Sequence, residues 1–132
     1  FIQHGEFIES GAAIVKKLAE GCSGDVRVVA AGTNVAATSA MMRAGAKEGA
    51  TGENAVCFNA RSADVIIGGI GIIASSGMLG EITPRMARAI AESPAKKILI
   101  PISRCSIIIP GSAEQSAKSL IDTAVAELKS LL

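Results

Sequence analysis

Short apolar runs alternating with helical spacing predict a three-layer α/β sandwich, with helices on both faces of a mainly parallel sheet. Three observations carry this reading. The 132 residues fit one domain, spanning 1–132, because single domains commonly run about 100–150 residues. Hydrophobic residues are 49% of the chain against 19% charged, which excludes disorder and provides a real core. The apolar runs are β-branched and mostly lack polar alternation, as strands buried on both faces do.

Taken in order, Phe1-Ile2 reads as the tail of a first strand. Residues 11–20 form a helix, with Ile14 and Leu18 four apart beside Val15, and Gly21 can end it in a left-handed conformation. A strand follows at residues 26–31, then a helix capped by Asn34 that runs to about Ala46. Residues 55–58 read as a short additional strand and 64–67 as a buried one. Thr83-Pro84 pairs a cap residue with proline at the first helical position, so a helix runs from there to Glu92 and stops at Ser93-Pro94. Strands are predicted at 97–101 and 106–109. Ser112 with Gln115 has the form of a capping box opening a last helix, striped by Ala117, Leu120, Ile121, Ala124, Val125, Leu128 and Leu131.

Composition removes several function classes. A net charge of +1 leaves no basic field for a nucleic acid backbone, and 2% aromatics leave no stacking platform. Cys22, Cys57 and Cys105 stand apart with no C-x-x-C spacing, so no structural metal is expected, and the odd count fits a reducing, cytoplasmic setting. The longest apolar run, residues 65–74, is broken by glycines and is about half the ~20 residues a membrane span requires. The chain opens at Phe1 without a methionine, as a partial or processed chain does.

In a parallel sheet, ligands bind beyond the carboxyl ends of the strands, where helix N-termini offer free N–H groups. That rule selects Gly32-Thr33-Asn34, where glycine permits close approach and two polar side chains can donate; Asn34 taken alone reads as a helix cap. It also selects Gly68-Gly69-Ile70-Gly71, which fits close approach of a phosphate or, equally, a bulge or subunit contact. A dinucleotide fingerprint is absent: the first loop has only Gly5 and Gly11, and the strand at 26–31 ends without Asp or Glu. No cofactor is therefore assigned.

Glu53 and Asn54 lie in a polar turn, where Glu53 reads as a solvated carboxylate or, if desolvated, a general base. Ser103, Arg104 and Cys105 place a hydroxyl, a guanidinium and a thiol side by side. Arg104 reads as an anion clamp or an ion-pair partner, and Cys105, with His4 the only histidine in the chain, as a small buried hydrophobe.

Residues 31–34 with 37–42, 51–56, 78–84 and 101–105 resemble a family of short bacterial proteins classed as a domain of unknown function. The likeness runs from about Gly11 to the last helix, and it implies a Rossmann-like fold.

These readings predict a binder of a nucleotide or small anionic metabolite at the carboxyl edge. The alternatives are a small enzyme acting on such a ligand, its catalytic residues unassigned, and a structural or regulatory homo-oligomer. High apolar content in so small a domain predicts a homodimer or larger. The proposed partner surfaces are the helix of Met41 and Met42 and the stretch 70–78.

Overall fold

A computed structural model describes residues 6–22, 26–102 and 107–132. The expected first strand at Phe1-Ile2, the loop residues His4 and Gly5, and Ser103, Arg104, Cys105 and Ser106 lie outside the described residues. The protein is mixed α/β. Its elements run α1 (Glu6–Gly21), β1 (Val29–Gly32), α2 (Val35–Arg43), β2 (Glu48–Thr51), α3 (Glu53–Ser62), β3 (Val65–Gly69), a 3-10 turn (Ile70–Ile73), α4 (Pro84–Glu92), β4 (Lys96–Ile100), a 3-10 turn (Ser112–Glu114) and α5 (Ala117–Ser130).

The strands are parallel as predicted, but among the described residues they form two separate pairs rather than one sheet. β1 pairs with β2 from Val29 opposite Glu48 to Gly32 opposite Thr51. β3 pairs with β4 from Val65 opposite Lys96 to Gly69 opposite Ile100. Among the helices, α1 packs on α2 and α5, and α3 packs on α4. The main core draws Ile14 and Leu18 from α1, Ile66 and Ile100 from the second pair, Met86 and Ile90 from α4, and Val125 and Leu128 from α5. A smaller core of Val15, Ala30, Met41 and Ala46 lies under the first pair, with Val28 touching both.

Several predicted boundaries held because their signals are local. Asn34 accepts from the Ala37 N–H at 2.8 Å and caps α2. Thr83 does the same for Met86 N–H at 3.1 Å, with Pro84 at the first helical position of α4. Ser93 ends that helix; its buried hydroxyl donates to Ala60 O at 2.5 Å and accepts from Ala95 N–H at 3.1 Å.

Other expectations are corrected. Residues 55–58 are helical, not a strand: Val56, Cys57 and Ala60 turn inward at helical spacing, and the strand comes earlier, at β2. The sequence of β2, Glu-Gly-Ala-Thr, has little strand propensity, so its ladder to β1 defines it. β1 begins at Val29, leaving Arg27 ahead of it, paired with Glu48. α2 ends at Arg43, and Gly45 turns the chain at φ +130°. Gly21 is the last residue of α1 and is not left-handed; a Cβ there would run into the Lys129 side chain of α5. Residues 107–109 form no strand, and Ile108 is exposed just before Pro110 and the left-handed Gly111. Ser112 donates to Ile109 O and opens only a 3-10 turn, whereas Ser116 accepts from Ser119 N–H and caps α5. Met41 and Ile72 are fully buried and Met78 is buried, so these three side chains of the two expected partner surfaces serve the core; Met42 is exposed.

Candidate functional site

The carboxyl ends of β1 and β2 lie side by side, because Gly52 N–H donates to Gly32 O at 2.9 Å just past the ladder. Two helices start there. α2 is capped by Asn34; α3 starts from Gly52, whose φ of +104° suits glycine and which supplies no side-chain cap. A Cβ on Gly52 would meet nothing within 4 Å, so this helix start faces open space. Gly32 is the opposite case: a Cβ would run into the side chain and N–H of Thr38, so α2 sits directly against the strand end. Thr51 donates to the Thr38 hydroxyl at 2.8 Å, fastening α2 to β2, and Thr38 donates in turn to Asn34 O at 3.2 Å within the first turn of α2.

Sequence reasoning missed Glu81, which the structure brings to this edge. The Thr33 hydroxyl donates to its Oε2 at 2.7 Å, and the Asn34 amide donates to both carboxyl oxygens at 3.3 and 3.5 Å. No local spacing could have shown this contact, since Glu81 lies 47 and 48 residues downstream. Its loop is held in a costly shape. Ser76, Met78 and Leu79 have φ of 60°, 55° and 58°, a region that costs non-glycine residues roughly 1–2 kcal/mol each. Met78 and Ile82 anchor the loop in the core, and Ser76 N–H donates to Ile82 O at 2.7 Å, while Leu79 stands almost fully exposed at the tip.

Glu53 opens α3 and bonds across to the start of α4. The Thr83 hydroxyl, and after it the Arg85 guanidinium at 3.1 Å, hold its carboxyl below the usual range. A general base at neutral pH requires the opposite shift, so Glu53 ties α3 to α4 and remains an ionised acceptor. Asn54, next in α3, is exposed beside it.

The glycine stretch is less open than its sequence suggested. Gly68 and Gly69 belong to β3, opposite Leu99 and Ile100, and Gly71 lies in the 3-10 turn; all three are buried. A Cβ on Gly69 would make only ordinary contacts, near 3.9 Å from Ile102. The structure thus gathers Gly32, Thr33, Asn34, Glu53 and Asn54 at the ends of β1 and β2, and puts Gly68, Gly69 and Gly71 at the end of the other strand pair. A separate shallow groove of about 340 Å³ lies between α3 and α4, with Arg61, Arg85 and Arg88 on its walls and buried Cys57 beneath.

Parallel strand pairs with polar loops and helix starts gathered beyond their carboxyl ends place the protein in the broad α/β class. Within that class the chain belongs to the DUF3842 family, a domain of unknown function, whose sequence profile matches residues 4–132. No curated protein and no solved structure matches it. No helix among the described residues is long and apolar enough to cross a membrane.

Proposed function

We propose that this chain binds a small anionic metabolite, with nucleotides and other phosphorylated compounds the leading class, at the carboxyl ends of β1 and β2. The observation that carries the reading is Glu81. The Thr33 hydroxyl and Asn34 amide converge on its carboxylate at the start of α2, so these donors are arranged around an oxyanion. A ligand anion competes for the same donors and gains the start of α3 at Gly52, which no side chain caps.

Thermal shift with nucleotides, phosphorylated metabolites and their neutral parents tests this reading. A ligand at a hundred times its Kd stabilises the fold by about 2.7 kcal/mol. Glu81→Gln removes the internal competitor and increases the shift over its own baseline. Asn34→Asp keeps the α2 cap but adds a repelling charge and abolishes the shift. A screen in which no anion outperforms its neutral parent, or an Asn34→Asp variant that responds undiminished, overturns the proposal.

Self-association is a companion reading, supported by exposed Val35 and Phe58, at 69% and 64% accessible, on the two helices that begin at this edge. Light scattering at the 13.3 kDa of a monomer across working concentrations overturns it. The free thiols of Cys22 and Cys57 fit a reducing compartment such as a bacterial cytoplasm.

A further inference from the structure

The loop that carries Glu81 to the ends of β1 and β2 has a packed base and an open tip. At the base, Met78 and Ile82 are buried in the main core, and Ser76 N–H donates to Ile82 O at 2.7 Å. A Cβ on Gly77 would lie 2.9 Å from Ala74 O, so the backbone there is tightly packed as well. At the tip, Leu79 is 96% exposed, and a Cβ on Gly80 would meet nothing within 4 Å. Leu79 and Gly80 are left-handed, at φ of 58° and 87°, a conformation that costs leucine free energy and glycine almost none. The tip's backbone bonds, from Gly80 N–H to Ser76 O and Gly77 O and from Glu81 N–H to Met78 O, are all 3.2 Å, at the long end of the ordinary range. Beyond the loop, the Glu81 carboxylate accepts from Thr33 and Asn34 at the start of α2. A strained tip with long bonds of its own is therefore held down by a side chain whose partners are the donors of the candidate site.

We propose that Leu79, Gly80 and Glu81 form a strap latched by the Glu81 carboxylate, and that an anion taking the Thr33 and Asn34 donors unlatches it. The trigger rests on the anion-binding reading; the latch does not. An arriving oxyanion repels the carboxylate that holds the same donors, so binding drives Glu81 off the start of α2. Leu79 is then free to leave the left-handed region, with Gly80 supplying the turn and Met78 and Ile82 staying as fixed ends. Occupancy of the ligand site thereby becomes a change of backbone and of apolar surface at Leu79. The linkage is reciprocal: whatever opens the strap raises the affinity for the anion.

Amide hydrogen exchange, read by NMR relative to intrinsic rates, tests both parts. In the unaltered chain the Gly80 and Glu81 amides are protected. Glu81→Ala removes the latch and should speed exchange at positions 80 and 81 by about tenfold or more, while the Ser76 and Ile82 amides stay within about twofold. Thr33→Val keeps Glu81 but removes its shortest bond, and should speed the same two amides by about threefold or more. Inorganic phosphate, titrated until the Gly32, Thr33 and Asn34 signals stop moving, should speed them in the unaltered chain and have no such effect in Glu81→Ala. Unprotected Gly80 and Glu81 amides in the unaltered chain, or unchanged exchange in both variants, overturns the latch. Equal acceleration at Ser76 and Ile82 also overturns it, because the loop would then have no fixed ends. Phosphate that moves Gly32, Thr33 and Asn34 yet leaves exchange at 80 and 81 unchanged overturns the trigger and leaves anion binding standing. Phosphate that moves none of the three counts against the binding reading itself and takes the trigger with it, while the two variants still decide the latch.

Discussion

The two strand pairs are built from different materials. In the β3–β4 pair, Ile66 and Ile100 are buried to within 2% and pack with Ile90 and Met86 in the main core, so burial of large side chains holds that half together. The β1–β2 pair contains Ala30, Ala31, Gly32, Gly49 and Ala50, and close backbone approach and polar fasteners hold it instead. Those fasteners are the Thr38–Thr51 hydroxyl pair, the Gly52–Gly32 backbone bond and the exposed Arg27–Glu48 ion pair. Small residues at strand ends bring helix starts and hydroxyls close together, which is why polar chemistry gathers on this half.

The sharpest way to break the comparison is to truncate one half and enlarge the other. Ile66→Ala leaves a cavity in the main core and should cost about 2–5 kcal/mol in urea unfolding. Gly32→Ala should also destabilise, by roughly 1–3 kcal/mol, because the new Cβ meets Thr38. If Gly32→Ala is neutral, close packing does not hold the first pair together.

The next effects come from the helix starts. Asn34→Ala removes the cap on α2 and a donor to Glu81, and Thr83→Ala removes the cap on α4; each should cost about 1 kcal/mol. Only Asn34→Ala should also change the environment of Glu81, seen as a shift in its side-chain carboxyl NMR signal.

These caps were legible in the sequence because a cap residue bonds within three positions of itself. β3 and β4 were legible because their apolar runs pack into the main core, whereas the equally β-branched Ile107-Ile108-Ile109 forms no strand. β2 was not legible, since Glu48, Gly49, Ala50 and Thr51 carry neither an apolar run nor alternation and form a strand only when β1 lies alongside. Ala55-Val56-Cys57-Phe58 misled in the other direction: a short apolar run serves either period, and the glycine at 52 that starts the helix also reads as a turn. At the site, the Gly32 loop could be picked out by the rule for parallel strands, but Glu81 and the Thr83–Glu53–Arg85 contacts could not, because they depend on loops distant in sequence.

Acid should weaken the polar half first. Glu48 is held below the usual carboxyl range by its bond to Arg27, and Glu53 by Thr83 and then Arg85. Each is depressed in the folded state, so its contribution is present above the unfolded pKa and lost as pH falls through the folded one. Stability should therefore fall from about pH 5 downward, and Glu48→Gln with Glu53→Gln should flatten that acid limb in pH-dependent unfolding. An unchanged limb would assign it to other carboxylates. The smallest effect belongs to Arg88→Lys: its partner Glu92 is one helical turn away and both are exposed, so stability should move by less than about 0.5 kcal/mol.

The proposed ligand site lies on the small-residue half, at the carboxyl ends of β1 and β2. The most direct test is a 1H–15N NMR titration with the most stabilising anion from the thermal screen. The account predicts saturable shifts centred on Gly32, Thr33, Asn34, Gly52 and Glu81, with the amides of β4 unmoved. Shifts centred instead on Arg61, Arg85 and Arg88 in the groove between α3 and α4 would contradict it.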